Sequence, residues 1–276
     1  MCLLTKIKFI LNYYIKSNLH VALCLVFYTV LIYYQNDITV NYYEILFIFL
    51  ATLFAYNFIK YHKLPFAKNR PNYVLYQLLI LVTVISLIIL SFKVVRISIL
   101  KTIIVLIASL LVIAYSFPAY KINSLRNYPL VKILTISAAW TLISVCFSFI
   151  GILKPKILVF YCLSIFLMVS CQMISFEIRD EDIDKNKSKT VVHVFGLQRI
   201  KMIGYAILIT LSVVIFFISL IEKDSVSYLS NIIILIVLFY LIFKSNKNQT
   251  EYFSSIFVES VPIYWLIIEF LVKIFF

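Results

Sequence analysis

Read as hydrophobic and polar positions, the chain is a succession of long apolar runs separated by charged or proline-bearing breaks. Nine runs stand out, near residues 17–35, 42–59, 74–92, 99–117, 130–152, 156–176, 201–221, 229–243 and 253–275. Most approach the roughly 20 residues that a helix needs to cross a hydrocarbon core of about 30 Å. The eighth is shorter and would have to tilt or lengthen. Barrel strands would be shorter and would alternate with polar residues, whereas these runs are solidly apolar. The pattern predicts an all-α, polytopic integral membrane protein with nine transmembrane helices, in a single membrane domain over 1–276. The first run lacks a small-residue cleavage site and is expected to be a retained span, not a signal peptide.

Composition agrees, with 63% hydrophobic residues, 13% charged ones and a mean hydropathy of +1.04. No soluble domain has such a balance. The net charge of +13 would suit a nucleic-acid partner, but the bases are spread among the breaks between apolar runs. With nine spans, alternate breaks lie on the same side of the membrane. The side holding the N-terminus collects 18 of the Lys and Arg residues and the other side 7. The positive-inside rule then places the N-terminus in the cytoplasm and the C-terminus outside, in a bacterial inner membrane, and nucleic acid drops out as a partner. The polar loops at 60–73, 118–130 and 177–200 are expected to cap the cytoplasmic face, so chemistry is expected there. Five cysteines (Cys2, Cys24, Cys146, Cys162, Cys171) form no CxxC pair and read as small apolar fillers without disulfide or metal.

One stretch breaks the pattern. "FEIRDEDIDKNKSKT", residues 176–190, gathers Glu177, Asp180, Glu181, Asp182 and Asp184, five of the chain's 12 acids. Glu177, Asp180 and Asp184 are spaced i, i+3, i+7 and share one face of a helix leaving the sixth run, with Asp182 on roughly the opposite face. The macrodipole opposes carboxylates at a helix C-terminus by about 0.3–1 kcal/mol each, and they repel one another. Something cationic must offset this. Lys185, Lys187 and Lys189 could do so as a solvated loop of alternating charge; a divalent cation such as Mg²⁺, which takes carboxylate oxygens together with substrate phosphates, is the sharper reading.

The stretch resembles the second aspartate motif of the UbiA family of intramembrane prenyltransferases, D/N-x-x-D-x-x-x-D followed by bases, Thr, a few apolar residues and Gly. Here these are Glu177, Asp180 and Asp184, then Thr190 and "VVHVFG" ending at Gly196. Arg179 before the central Asp is most similar to the quinone-biosynthesis members. Glu177 replaces an Asp or Asn, and the basic segment lacks its Gly and is one residue short. A second stretch, "AYSFPAYKINSLRNYPLVK" at 114–132, resembles the family's loop after helix four through Tyr115, Ser116, Pro118, Lys121, Arg126, Pro129 and Lys132, with Trp140 in the following helix. Read without that likeness, it is a proline-broken turn with topology-setting bases.

The resemblance implies a ring of nine helices around a central cavity that opens to the cytoplasm, and transfer of an isoprenoid chain from a polyprenyl diphosphate to an aromatic or lipid-like membrane-soluble acceptor. It implies Mg²⁺ on Glu177, Asp180 and Asp184, with Asp180 and Asp184 catalytic, and Asn57, Lys60, Arg70, Tyr115, Lys121 and Arg126 binding the substrate. The family's first aspartate motif, N-D-x-x-D-x-x-x-D, is missing. Residues 56–73 keep Asn57 and Arg70-Pro71, but Phe58, Tyr61 and Pro65 stand for the three aspartates, among Lys60, His62 and Lys63. Three explanations stand: the lysines contact diphosphate directly, the protein binds an isoprenoid without turning it over, or it acts on a less charged substrate. A small-molecule transporter is the reading from another class, with no internal repeat and only three glycines behind it. His62 and His193 have no carboxylate partner nearby in sequence. Glu44, Glu259 and Glu269 are acids in or beside spans, functional candidates by position, though each lies near a helix end.

Overall fold

A computed structural model describes residues 3–61, 81–88, 98–117, 124–184, 191–222 and 224–276, without the side chains of 3–9, 61, 129 and 182–184. Among these residues the structure is all-helical. Its helices are α1 (Leu3–Lys16), α2 (Leu19–Gln35), α3 (Tyr42–Tyr61), α4 (81–88), α5 (Ile99–Ser116), α6 (Pro129–Thr141), α7 (Phe147–Phe149), α8 (Pro155–Asp184), α9 (Val191–Phe195), α10 (Leu197–Glu222), α11 (Ser225–Lys244) and α12 (Val261–Phe275). Six described helices are long and apolar enough to cross a membrane, and the bent pair α1–α2 makes a seventh. The run expected at 74–92 is described only as α4. The run expected at 253–275 is divided between a π-turn, Phe253–Val258, and α12.

The helices meet in a ring. α2 packs on α3 and α12, α12 on α11, α11 on α10, α10 on α8, α8 on α6, α6 on α5, and α5 lightly on α3. Outward-facing positions such as Leu106, Leu110, Ile209 and Phe243 are exposed apolar residues, as lipid contact requires. The chain is an integral membrane protein.

Three irregularities interrupt the spans, and each is paired from a neighbouring helix. Between α1 and α2 the path turns by 64° at Ser17–Asn18, with Asn18 in the left-handed region at φ 62°. Asn is among the few non-glycine residues that tolerate that conformation. The Asn57 amide on α3 donates to the Ser17 carbonyl at 3.1 Å and accepts from the Asn18 amide at 2.9 Å, while Lys60 donates to the Lys16 carbonyl at 3.0 Å. A π-turn at Leu142–Cys146 follows α6, and Thr29 on α2 donates to the Ser144 carbonyl at 2.9 Å. In the π-turn before α12, the Val258 carbonyl accepts from Gln172 on α8 at 2.7 Å, and Gln172 accepts from Tyr28 at 2.7 Å.

Glycine is scarce enough for its uses to be read directly. Gly196, with φ 81°, ends α9 and donates its N–H to the Val192 carbonyl at 2.8 Å, a left-handed helix stop. Gly204 on α10 sits where α8 and α11 converge: a Cβ there would stand 2.9 Å from Cδ1 of Ile174 and 3.3 Å from Cδ1 of Ile242. Gly204→Val should therefore overpack this junction, costing about 1–3 kcal/mol. Gly204→Ala should cost less, because the nearest atoms are the tips of flexible side chains. Thermal melts of the two variants in detergent check the order.

Candidate functional site

The site begins with the length of α8. Its 30 residues extend well past the roughly 20 that span a membrane, so the last turns carry 177–184 out of the apolar layer. Lys132, one turn into α6, comes alongside. Its ammonium lies 2.7 Å from Glu177 Oε1 and 3.9 Å from Asp180 Oδ2. Glu177 is fully buried, and its other oxygen accepts the Val191 N–H at 3.2 Å. Both Glu177 oxygens are thus engaged in joining α8 to α6 and α9.

Asp180 is different. Its side chain keeps 20% exposure; Oδ1 accepts from Arg179 Nε at 2.8 Å, and among the described residues Oδ2 has only the distant Lys132. Arg179 also reaches the π-turn, donating from Nη1 to Ser255 at 3.1 Å, and lies over the Phe176 ring. Glu181 pairs with Lys247 at 2.8 Å. Of the five acids that the sequence bunches together, the three with described side chains take different partners: one on α6, one Arg179, one in the loop after α11. The side chains of Asp182 and Asp184 lie outside the described residues, Asp184 closing α8 one turn beyond Asp180.

Beside this charged end lies an apolar cavity of about 600 Å³ between α3, α4, α5 and α6. Ala55 and Phe58 of α3, Leu87 of α4, Val112 and Tyr115 of α5 and Trp140 of α6 are among its walls. Tyr115 is buried at the end of α5, within the field of Lys132, Arg126, Glu177 and Asp180. It stands where the apolar cavity meets the charges. Arg126 is exposed on the short 3₁₀ turn Leu125–Asn127 that leads into α6.

The remaining residues expected at the site fall into two groups. Asn57 and Lys60 sit on α3 and tie down the α1–α2 break, as described above. Phe58, in the place of the first aspartate of the absent motif, forms cavity wall, stacks on Phe54 and lies tilted against Phe117. Arg70 and Lys121 lie outside the described residues, as do His62 and Lys63. His193 is exposed on α9.

Among the described residues no group of three or more His, Cys, Asp or Glu is placed to hold a metal. Asp180 has an oxygen outside the Arg179 bond, and Mg²⁺ commonly needs only one or two carboxylates beside substrate phosphates. Asp180 fits that demand; both Glu177 oxygens are engaged, by Lys132 and by the Val191 N–H.

Sequence reasoning passed lightly over one acid. Glu259, between the second π-turn and α12, is half-buried, and its carboxylate has no hydrogen bond to a described residue. The signal that could have found it is the simplest, an acid within an apolar run.

No protein-family model and no curated protein matches the sequence. Solved structures do match the fold. A digeranylgeranylglyceryl phosphate synthase superposes with a TM-score of 0.64 at 13% identity over 95% of this chain and 96% of its own. A UbiA homologue from Archaeoglobus fulgidus, bound to GPP and Mg²⁺, gives 0.63 at 14% identity over 94% and 98%. An apo UbiA homologue from Aeropyrum pernix K1 gives 0.62 at 13% identity over 92% and 98%. At that identity the likeness concerns architecture, and the architecture of this chain is that of the UbiA homologues.

Proposed function

We propose that the protein is an intramembrane prenyltransferase, moving an isoprenoid chain from a polyprenyl diphosphate to an aromatic or lipid-like acceptor. The observation that carries this reading is the position of Tyr115, lining the apolar cavity while lying in the field of Lys132, Arg126, Glu177 and Asp180. A prenyl diphosphate has the same polarity, hydrocarbon at one end and phosphate at the other. A cavity of about 600 Å³ is in the ordinary range for such a ligand. The GPP and Mg²⁺ in one structural relative support the substrate class. The asymmetry of Lys and Arg along the chain supports a cytoplasmic N-terminus, with the acidic end of α8 on the same side. Arg179 before Asp180 supports a quinone-biosynthesis type of acceptor.

Each group then has a part. Asp180, with Asp184 one turn on, would hold Mg²⁺, which when bound supplies charge that stabilises the leaving diphosphate. Arg126 and the Tyr115 hydroxyl face phosphate oxygens as donors. Arg70 and Lys121, outside the described residues, would add cations to the same head group. Lys132 neutralises Glu177 and half-shields Asp180, keeping the carboxylates from repelling the incoming anion. Phe58 and Trp140 hold the first isoprene units, exclude water from them and present ring faces to positive charge developing on the allylic carbon. Asn57 and Lys60 act one step back, by fixing α3.

A second reading has its own observation. α3 brings no carboxylate to the site, and Phe58 fills the place of one, which favours an isoprenoid-binding protein that does not turn its ligand over. Release of inorganic pyrophosphate from geranyl diphosphate by the purified protein, with Mg²⁺ and membrane lipids, separates the two: a transferase releases it in step with prenylated product, a binder does not.

Asp180→Asn should weaken Mg²⁺-dependent binding of geranyl diphosphate at least tenfold in a detergent binding assay, with little change in thermal stability. An unaltered affinity would remove Asp180 from the site. Lys132→Met should act on stability instead. It strands the buried Glu177 carboxylate, at a cost of about 3–5 kcal/mol, and the double variant Lys132→Met with Glu177→Leu should recover most of that. Melting curves of the single and double variants check this. The double variant should still bind geranyl diphosphate less tightly than wild type.

A further inference from the structure

Of the acids in or beside the spans, Glu44 and Glu269 are fully accounted for. Glu44 pairs with Lys101 and accepts from the Tyr33 hydroxyl at 3.2 Å. Glu269 accepts from Ser227, Ser230 and, at 3.1 Å, from Gln35. The Glu259 carboxylate has no hydrogen bond or ion pair among the described residues, and the two cations whose charge reaches it, Arg179 and Lys60, each bond elsewhere. Such a carboxylate is costly in a membrane bundle and keeps its oxygens open to a ligand.

Its surroundings say which ligand. Glu259 follows the π-turn Phe253–Val258, and π-turns inside helices are frequent at functional sites. One turn earlier, Ser255 accepts from Arg179, whose Nε holds Asp180, so the π-turn is tied directly to the acidic end of α8. One residue later, Ser260 meets His20 Nε2 at 3.1 Å, and His20 Nδ1 meets the Tyr14 hydroxyl at 2.9 Å. Both His20 nitrogens are thereby occupied, and His20 is not available to Glu259. The charged and titratable groups around Glu259 are Tyr14 of α1, Cys24 of α2, Tyr56 and Lys60 of α3 and Arg179 of α8. Tyr56 also lines the apolar cavity, and its hydroxyl accepts the Trp140 indole N–H at 2.9 Å, leaving its own proton to donate onward. Tyr56 thus joins the surroundings of Glu259 to the wall of the apolar cavity, and Arg179 joins them to Asp180.

We propose that Glu259 binds the acceptor of the prenyl group, a hydroxyl-bearing membrane-soluble molecule such as a phenol or lipid alcohol, through a hydrogen bond from that hydroxyl, and takes up its proton during transfer. This deepens the prenyltransferase reading and rests on it for the second half. The balance is simple. The allylic C–O bond breaks and its electron pair leaves with the diphosphate. In a lipid alcohol the acceptor oxygen forms the new C–O bond and its proton passes to the Glu259 carboxylate; in a phenol the ring carbon beside the hydroxyl forms a C–C bond, the hydroxyl proton passes to Glu259, and the proton displaced from that carbon returns to the oxygen. No electron donor or acceptor is needed. Arg179, bonded to Asp180 and to Ser255 of the π-turn before Glu259, acts as a positioning residue between the two half-sites.

A pair of probes tests the binding half without turnover. 4-Octylphenol and its methyl ether, 4-octylanisole, have the same tail, but only the phenol can donate a hydrogen bond. The purified protein in detergent should bind the phenol at least tenfold more tightly than the ether, and Glu259→Gln should reduce that preference to less than twofold. Glu259→Gln should leave the affinity for geranyl diphosphate with Mg²⁺ within a factor of two of wild type. Glu259→Asp, which keeps the charge but retracts it by one methylene, should retain a reduced preference and carries the test if the Gln variant does not fold. A phenol preference unchanged in Glu259→Gln overturns the proposal, as does the absence of any preference in wild type. Loss of geranyl diphosphate binding in the Gln variant also overturns it, by placing Glu259 on the donor side. Failure of wild type to bind geranyl diphosphate would sink the prenyltransferase reading instead, and the phenol preference would stand or fall by itself.

Discussion

The hydrocarbon core of a membrane offers no water to a backbone carbonyl, so a helix may break inside it only where another helix supplies the missing partner. This one constraint organises the molecule. The carbonyls at Lys16 and Ser17 are met by Lys60 and Asn57, that at Ser144 by Thr29, and that at Val258 by Gln172. Each irregularity is thereby locked to a neighbour, and the locks join α1–α2 to α3, α6 to α2, and the π-turn before α12 to α8. The two flanking the site, at Ser17–Asn18 and at Phe253–Val258, set where Lys60 and Glu259 stand.

The same constraint explains what became of α3. Its inner face carries Ala55 and Phe58 into the cavity wall, while Asn57 and Lys60 are occupied with the neighbouring break. A carboxylate at 58 would now face hydrocarbon. The charges of the site come instead from α8, the start of α6 and the turn before it, and they are concentrated at one end of the cavity.

Much of this was legible in the sequence, for physical reasons. A span of about 20 apolar residues admits few alternatives, and five acids in one stretch of an acid-poor chain mark a place where something cationic must sit. Period and spacing also gave the shared helix face of Glu177 and Asp180. What the sequence could not give was partnership. Nothing in "FEIRDED" says that Glu177 will be fully buried against Lys132, 45 positions upstream, or that Arg179 will reach Ser255, because such pairings depend on which helices become neighbours. The π-turns were invisible for a related reason: they add one residue to a turn and leave the apolar pattern unbroken. Asn57 and Lys60 were read by their place in a motif, and the structure places them on a break that no motif announces. Glu259 was noticed but weighed as a helix-end acid, since its isolation shows only when Glu44 and Glu269 are seen to be satisfied.

Gly204 has a mechanical consequence. By letting α10 approach α8 and α11 closely, it makes that arc of the ring dense, with Ile174 and Ile242 against the bare Cα. Ile174 lies three residues before Glu177 on α8, so the close approach at Gly204 bears on the stretch of helix that leads straight into the acids. Bulk added at 204 would press on that stretch from behind, and a change at an apolar junction would be felt as a displacement of charge.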